Sequence, residues 1–74
     1  MKDTAISGRV GQALRKRRES QGLTQEGFAD KIGMHRAYYS ALERGEKNLT
    51  LKTLRRLCTG LSVKVWEILR DADV

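Results

Sequence analysis

The sequence predicts an all-α fold of five short helices, and three observations carry that reading. The 74 residues contain no proline. Apolar residues recur three and four apart, and β-branched and aromatic residues nowhere alternate with polar ones over the length of a strand. Glycines and small hydroxyl residues punctuate the chain at short intervals, as starts and stops of helices do.

Each element follows from its own punctuation. The first helix is predicted over about 7–21, with Val10, Ala13 and Leu14 on one face and Gly22 as its stop. The second, 25–32, starts after Thr24 as N-cap and turns Phe28, Ala29 and Ile32 inward; Gly33 ends it. The third, 36–44, sets Tyr39 and Leu42 three apart and closes at Gly45. A loop, Glu46-Lys47-Asn48-Leu49, leads to a second cap, Thr50. The fourth helix, 51–60, carries Leu51, Leu54, Leu57, Cys58 and Leu61 at helical spacing, with Gly60 near its end. Ser62 is expected to cap the last, 63–72.

Size and composition narrow the function. The length predicts one domain, 1–74, near the limit at which a single core suffices. A lone cysteine, Cys58, supplies no disulfide and reads as a small buried apolar group in a reducing compartment, a reactive thiol being the alternative. No apolar run approaches the roughly 20 residues that span a membrane, and no signal-peptide segment opens the chain, so a cytoplasmic location is expected. Fifteen Lys and Arg against nine Asp and Glu leave a net charge of +6, which favours a polyanionic partner over a membrane surface. A basic surface of no consequence is the bland alternative.

The second and third helices are about two turns long and are joined by only a few residues around Gly33. So short a link forces a steep crossing, the geometry of a helix-turn-helix. The small Ala29 sits where the two helices must touch, and Gly33, four residues on, can adopt the positive φ of the turn. Tyr39 and Leu42 stand six and nine after that glycine, where they anchor the second helix of the pair.

The run TQEGFADKIGMHRAYYSALERG resembles the helix-turn-helix family of phage repressors and Cro-type regulators, and the likeness extends through LTLKTLRRLCTGLSV, roughly residues 7–63. HRAYYSALERGEKNLTLKTL looks most like the controller proteins of restriction–modification genes. The resemblance implies a repressor-like DNA-binding fold whose third helix enters the major groove of double-stranded DNA. His35, Arg36, Ala37, Ser40 and Ala41 would then face outward, with Tyr38 at the flank. Arg36 suits guanine O6 and N7, a contact worth about 1–3 kcal/mol of discrimination, a phosphate contact being its alternative. Ala37 can approach a thymine methyl. Tyr38 can meet a base, sugar or phosphate or else pack in the core, whereas Tyr39 is assigned inward.

The resemblance also implies phosphate contacts by Gln25, Ser40, Arg44, Lys47, Asn48 and Thr53; capping or a left-handed turn at Asn48 is the plainer reading. Arg18 and Glu43 match the family's buried ion pair. Three departures stand out. His35 replaces the usual Ser or Asp cap and is expected neutral, capping through its ring or reaching the DNA. Arg17 replaces an apolar residue, so its stem should lie along the core with its head in water. Gly27 is an exposed glycine within a helix, small enough for a close approach of the DNA backbone, a plain surface glycine being the alternative.

One helix reads few bases, so a homodimer on a palindromic operator is expected. The last helix carries more apolar groups than one core-facing stripe needs, and Leu61, Val65, Trp66 and Leu69 are assigned to the dimer interface; for Trp66, a role covering the monomer core is the alternative. The whole reads as a transcriptional regulator that activates and represses by site occupancy, with Glu43 and Glu46 as candidates for an RNA polymerase contact, plain solvation being the alternative. An antitoxin-type or phage-type repressor that also holds a protein partner is the rival. No arrangement of catalytic residues appears, and no enzyme activity, cofactor, metal or small-molecule ligand is expected.

Overall fold

A computed structural model describes residues 4–74 and contains five helices: α1 Thr4–Ser20, α2 Gln25–Lys31, α3 Arg36–Glu43, α4 Leu51–Leu61 and α5 Val65–Ala72. The main packings set α1 against α5 and α3, and α2 against α3; α4 closes onto α5 and α1. The core is made by the residues the helical spacing points inward: Val10, Ala13 and Leu14 from α1, Phe28 and Ala29 from α2, Tyr39 and Leu42 from α3, Leu54, Leu57, Cys58 and Leu61 from α4, with Ile68 and Ala72 from α5. The Phe28 and Tyr39 rings meet edge to face, 5.1 Å between centroids at 63°, which places the positive ring edge on the negative face.

Several boundaries obey the predicted chemistry. The Thr24 hydroxyl accepts from the Gly27 N–H at 2.9 Å and the Thr50 hydroxyl from the Thr53 N–H at 3.1 Å, each satisfying a first-turn donor. The Gly27 N–H is thus part of a cap. Past the end of α1 the Leu23 N–H reaches back to the Arg18 carbonyl at 3.2 Å, the six-to-one closure of a Schellman motif.

Four expectations are corrected. α1 is already helical at Thr4, ahead of the predicted start. Ser62 does not cap the last helix. It closes α4 in a left-handed conformation, φ 60°, with the Val63 N–H on the Cys58 carbonyl at 3.0 Å; an N-cap needs extended backbone, so α5 waits until Val65, where the Glu67 carboxylate accepts from the Lys64 N–H at 2.8 Å. Leu51 is 78% exposed and outside the core, because it lies on the opening turn of α4 and the inward stripe starts at Leu54. Leu61 is fully buried inside the monomer. It therefore has no surface to give a second chain, and its assignment to a dimer interface is withdrawn.

Cys58 is buried, and burial, with Glu67 nearby, pushes its thiol up, away from the reactive thiolate. Arg17 keeps its head at the surface but pairs it there. It is half-buried and bridges α1 to α5 through Asp71 at 2.8 Å and Glu67 at 3.5 Å. No helix among the described residues is long and apolar enough to cross a membrane.

Two glycines set how closely the helices pack. A Cβ at Gly11 would stand 2.3 Å from the Glu43 carbonyl oxygen and 2.7 Å from that of Leu42, so only glycine lets α1 touch the backbone of α3. A Cβ at Gly60 would stand 2.5 Å from Ile32 Cγ2 and 3.1 Å from the Phe28 ring, which brings α4 down on α2. Gly8, one turn before Gly11, has open space around it. Gly8→Ala should therefore raise stability by about 0.5–1 kcal/mol, while Gly11→Ala should lower it by about 1–3 kcal/mol as α1 is forced off α3. Urea denaturation of both variants checks this, and a Gly11→Ala as stable as Gly8→Ala would show that the close approach is absent.

Candidate nucleic-acid interface

The site is built from the turn outward. Gly33, at φ 66°, reverses the chain after α2, and the Met34 N–H returns to the Ala29 carbonyl at 2.8 Å. Arg56 of α4 donates to the Ile32 and Gly33 carbonyls at 2.6 and 2.9 Å, which satisfies acceptors that the end of α2 would otherwise leave open. Nothing in the sequence sets Arg56 apart from its neighbour Arg55, and this clamp was not foreseen.

α3 then lies with one face buried and one bare. Tyr39, Ala41, Leu42 and Glu43 are buried; Arg36, Ala37 and Tyr38 are exposed and Ser40 half-exposed. The two tyrosines do face opposite ways. Ala41, expected outward, is buried instead, at the turn of α3 where the chain doubles back and the Glu46 N–H bonds the Ala41 carbonyl at 3.0 Å. His35 holds the N-cap backbone geometry, φ −64° and ψ 131°, but its ring makes no capping bond. Its expected role as a side-chain cap is corrected: the imidazole stays exposed and only the carbonyl serves the helix, accepting from Tyr39 N–H at 3.0 Å.

Behind the bare face lies a buried polar cluster centred on Glu43. Arg18 grips its carboxylate with two bonds, Nε at 2.6 Å and Nη2 at 3.2 Å. The Tyr39 hydroxyl donates to the same carboxylate, and Gln25 Nε2 donates to it at 2.8 Å. A third Arg18 donor reaches the Leu23 carbonyl at 2.6 Å. Burial alone would push the Glu43 carboxyl up, but the bonds from Arg18, Tyr39 and Gln25 outweigh it and hold the group below its ordinary 4.5. Burial and then the adjacent carboxylate drive the Tyr39 phenol well above its usual range. The ion pair implied by the resemblance is thus present, with Tyr39 and Gln25 added to it. Glu43 is inaccessible, so it is removed as a surface that a polymerase could touch.

The residues assigned to phosphate divide into free and occupied. Lys47 and Asn48 stand exposed in the loop after α3. Gln25 is half-buried, with one amide hydrogen committed to Glu43. Thr53 belongs to the cap of α4, its hydroxyl 3.0 Å from that of Thr50. Arg44 is occupied within the chain, holding Glu46 with two bonds of 3.0 Å and Ser40 Oγ at 2.6 Å. Both partners of the Arg44–Glu46 pair are more than half exposed, so the pair is weak and an anion can replace Glu46. Arg36, Ala37, Ser40 and Arg44 line one shallow depression; Arg36 also borders a second with Thr24, Gln25 and Glu26. Arg36 therefore joins the two halves of the outer surface.

On α5, Trp66 is 60% exposed, with the Arg70 guanidinium 5.1 Å above its ring. Val65 and Leu69 are partly buried beside it and Ile68 is wholly inside. An apolar strip with Trp66 at its centre thus remains on the surface.

Two short helices crossing at a glycine turn, the second showing a bare cationic first turn, define a helix-turn-helix regulator. A family model described as helix-turn-helix matches residues 14–65, and the chain belongs to that family. It is 38% identical over 69 residues to control protein C.MunI of a Mycoplasma species, covering 92% of this chain and 93% of that one. Among solved structures it is similar to the clp gene regulator ClgR of Corynebacterium glutamicum, with a TM-score of 0.88 at 31% identity over 92% of this chain and 88% of that one. It is also similar to the restriction–modification controller protein C.Esp1396I, solved as a tetramer with its natural 35 base-pair operator, with a TM-score of 0.81 at 31% identity over 99% and 100% of the two chains. These relatives are regulators and control proteins, not enzymes.

Glu43→Gln should remove the charge that balances Arg18 and cost on the order of 3–5 kcal/mol. The pH dependence has a definite sign. The folded-state carboxyl is depressed, so its contribution is full above about 4.5, the ordinary value, and fades as pH falls through the lower folded value. The gap in urea midpoint between wild type and variant should be widest near neutrality and shrink on acidification below that point. A gap that stayed constant with pH would show that folding leaves the Glu43 pKa unshifted, and a gap that narrowed as pH rose toward neutrality would show a carboxyl kept neutral in the folded protein.

Proposed function

We propose that this chain is a sequence-specific regulator of restriction–modification controller type, binding a palindromic operator as a homodimer. The observation that carries the reading is Arg36, exposed on the first turn of α3, with no carboxylate partner among the described residues, on a helix whose far side is locked by Glu43. In the major groove that turn lies against base edges, Arg36 toward guanine, Ala37 toward a thymine methyl, with His35, Tyr38 and Ser40 around them. Lys47 and Asn48 meet phosphate directly, Gln25 with its remaining amide hydrogen, and Arg44 after exchanging Glu46 for the anion. Thr53 adds contact where the start of α4 faces the backbone. The operator complex of C.Esp1396I supports the same use of the fold.

Val65, Trp66 and Leu69 form the self-complementary patch that joins two copies and spaces their α3 helices about 34 Å apart, one turn of duplex. Regulation then follows from occupancy: a dimer over a promoter blocks it, and one upstream leaves Glu46 as the acidic group within reach of RNA polymerase.

Selection of binding sites from random duplexes supplies the operator for the test. Arg36→Ala should relax preference at one position per half-site, while Lys47→Ala should weaken every sequence alike and lower the slope of log affinity against log salt by about 1. An unaltered specificity profile in Arg36→Ala would overturn the base-reading assignment. In sedimentation, Trp66→Ala should shift the dimer toward monomer; a dimer of unchanged strength places the interface elsewhere.

A further inference from the structure

A second cationic surface lies apart from the recognition face. The C-terminal end of α2 and the outward side of α4 enclose a groove lined by Lys31 and Ile32 from one and by Lys52, Arg55, Arg56 and Gly60 from the other. Its floor is apolar, since Gly60 packs so tightly on Ile32 that no side chain fits between them. Among the described residues no carboxylate lines it. Every arginine of α1 and α5 holds a carboxylate, whereas among the described residues Lys31, Lys52 and Arg55 have no ion-pair partner. Arg56 is fixed at the edge by the carbonyls of Ile32 and Gly33. None of these residues borders the depressions around Arg36.

Leaving like charges unpaired side by side costs self-repulsion that an anionic partner relieves. A DNA backbone would use the cations and leave the apolar floor idle. An amphipathic acidic segment uses both, as a helix laid in a groove does. We propose that the α2–α4 groove docks an acidic segment of another protein, with an apolar side chain seated on Ile32 and Gly60 and carboxylates on Lys31, Lys52 and Arg55. The regulator could then hold a protein partner while α3 remains in the operator.

The test uses the full chain and a fluorescein-labelled peptide of glutamates with leucines at helical spacing, read by anisotropy. The wild type should bind it, and the Lys52→Glu, Arg55→Glu double variant should bind at least about tenfold more weakly. Replacing the peptide's leucines by serine should also weaken binding. The variant should bind the selected operator with the affinity and salt slope of the wild type and should melt with it, both side chains being exposed; the paired alanine variant repeats the measurement if the charge reversal does not fold. No binding by the wild type overturns the proposal, as does equal binding of the leucine-free peptide, which would mean charge alone. A fall in operator affinity and salt slope would make the groove a DNA contact, and a changed sedimentation profile would make it an interface between copies; either also overturns it. Failure of the wild type to bind any duplex would sink the operator reading and leave the peptide result standing.

Discussion

The buried carboxylate of Glu43 is the point on which the rest of the structure depends. A charge taken out of water is tolerated only when its lone pairs are filled, and four donors from three helices fill these: two of Arg18 on α1, Gln25 on α2 and Tyr39 on α3. Each donor is itself tied into the packing. Tyr39 meets Phe28 edge to face, and Arg18 also holds the chain at Leu23. The orientation of α3 relative to α1 and α2 is thereby set by directional bonds, which hydrophobic contact alone does not provide.

That rigidity matters because recognition of a base edge needs a side chain placed to within a fraction of an ångström. α3 is eight residues long and would not persist alone. Its inner face is anchored by Glu43, its entry by the Gly33 turn with the Arg56 clamp, and its exit by the reversal at Gly45. Its outer face, carrying Arg36, Ala37 and Ser40, is left free of internal obligations except at Arg44. The two glycines that seat α1 on the backbone of α3 and α4 on the Ile32 and Phe28 side chains serve the same end. They narrow the space between elements until only one arrangement fits.

Much of this was legible in the residues. Apolar spacing placed nearly all of the core, and Thr24, Gly33, Gly45 and Thr50 marked the ends of helices where they occur, because capping and left-handed turns are local chemistry. Where expectation failed, the cause was a neighbour out of reach in sequence. Ser62 looks like an N-cap in isolation, but the closing bonds of α4 claim its backbone first. Ala41 was placed outward through the resemblance and Leu61 was given to a dimer interface, and both are buried by chain that packs over them. Arg17 was expected to reach for water, and α5 presented two carboxylates instead. His35 stands at a cap position without capping, which no reading of spacing could reveal.

The sequence by itself determined the helical class, the helix-turn-helix unit and which tyrosine is inside, since each rests on periodicity or on turn chemistry spanning a few residues. Tertiary structure alone decided which cations are free. Charge pairing is set by distances across helices, so Lys and Arg that look alike in the chain separate, among the described residues, into one gripping a buried carboxylate, others tied to carboxylates at the surface, one closing a helix end, and a few left bare. The bare ones lie in two main places: at the start of α3 and its following loop, and in the groove between α2 and α4.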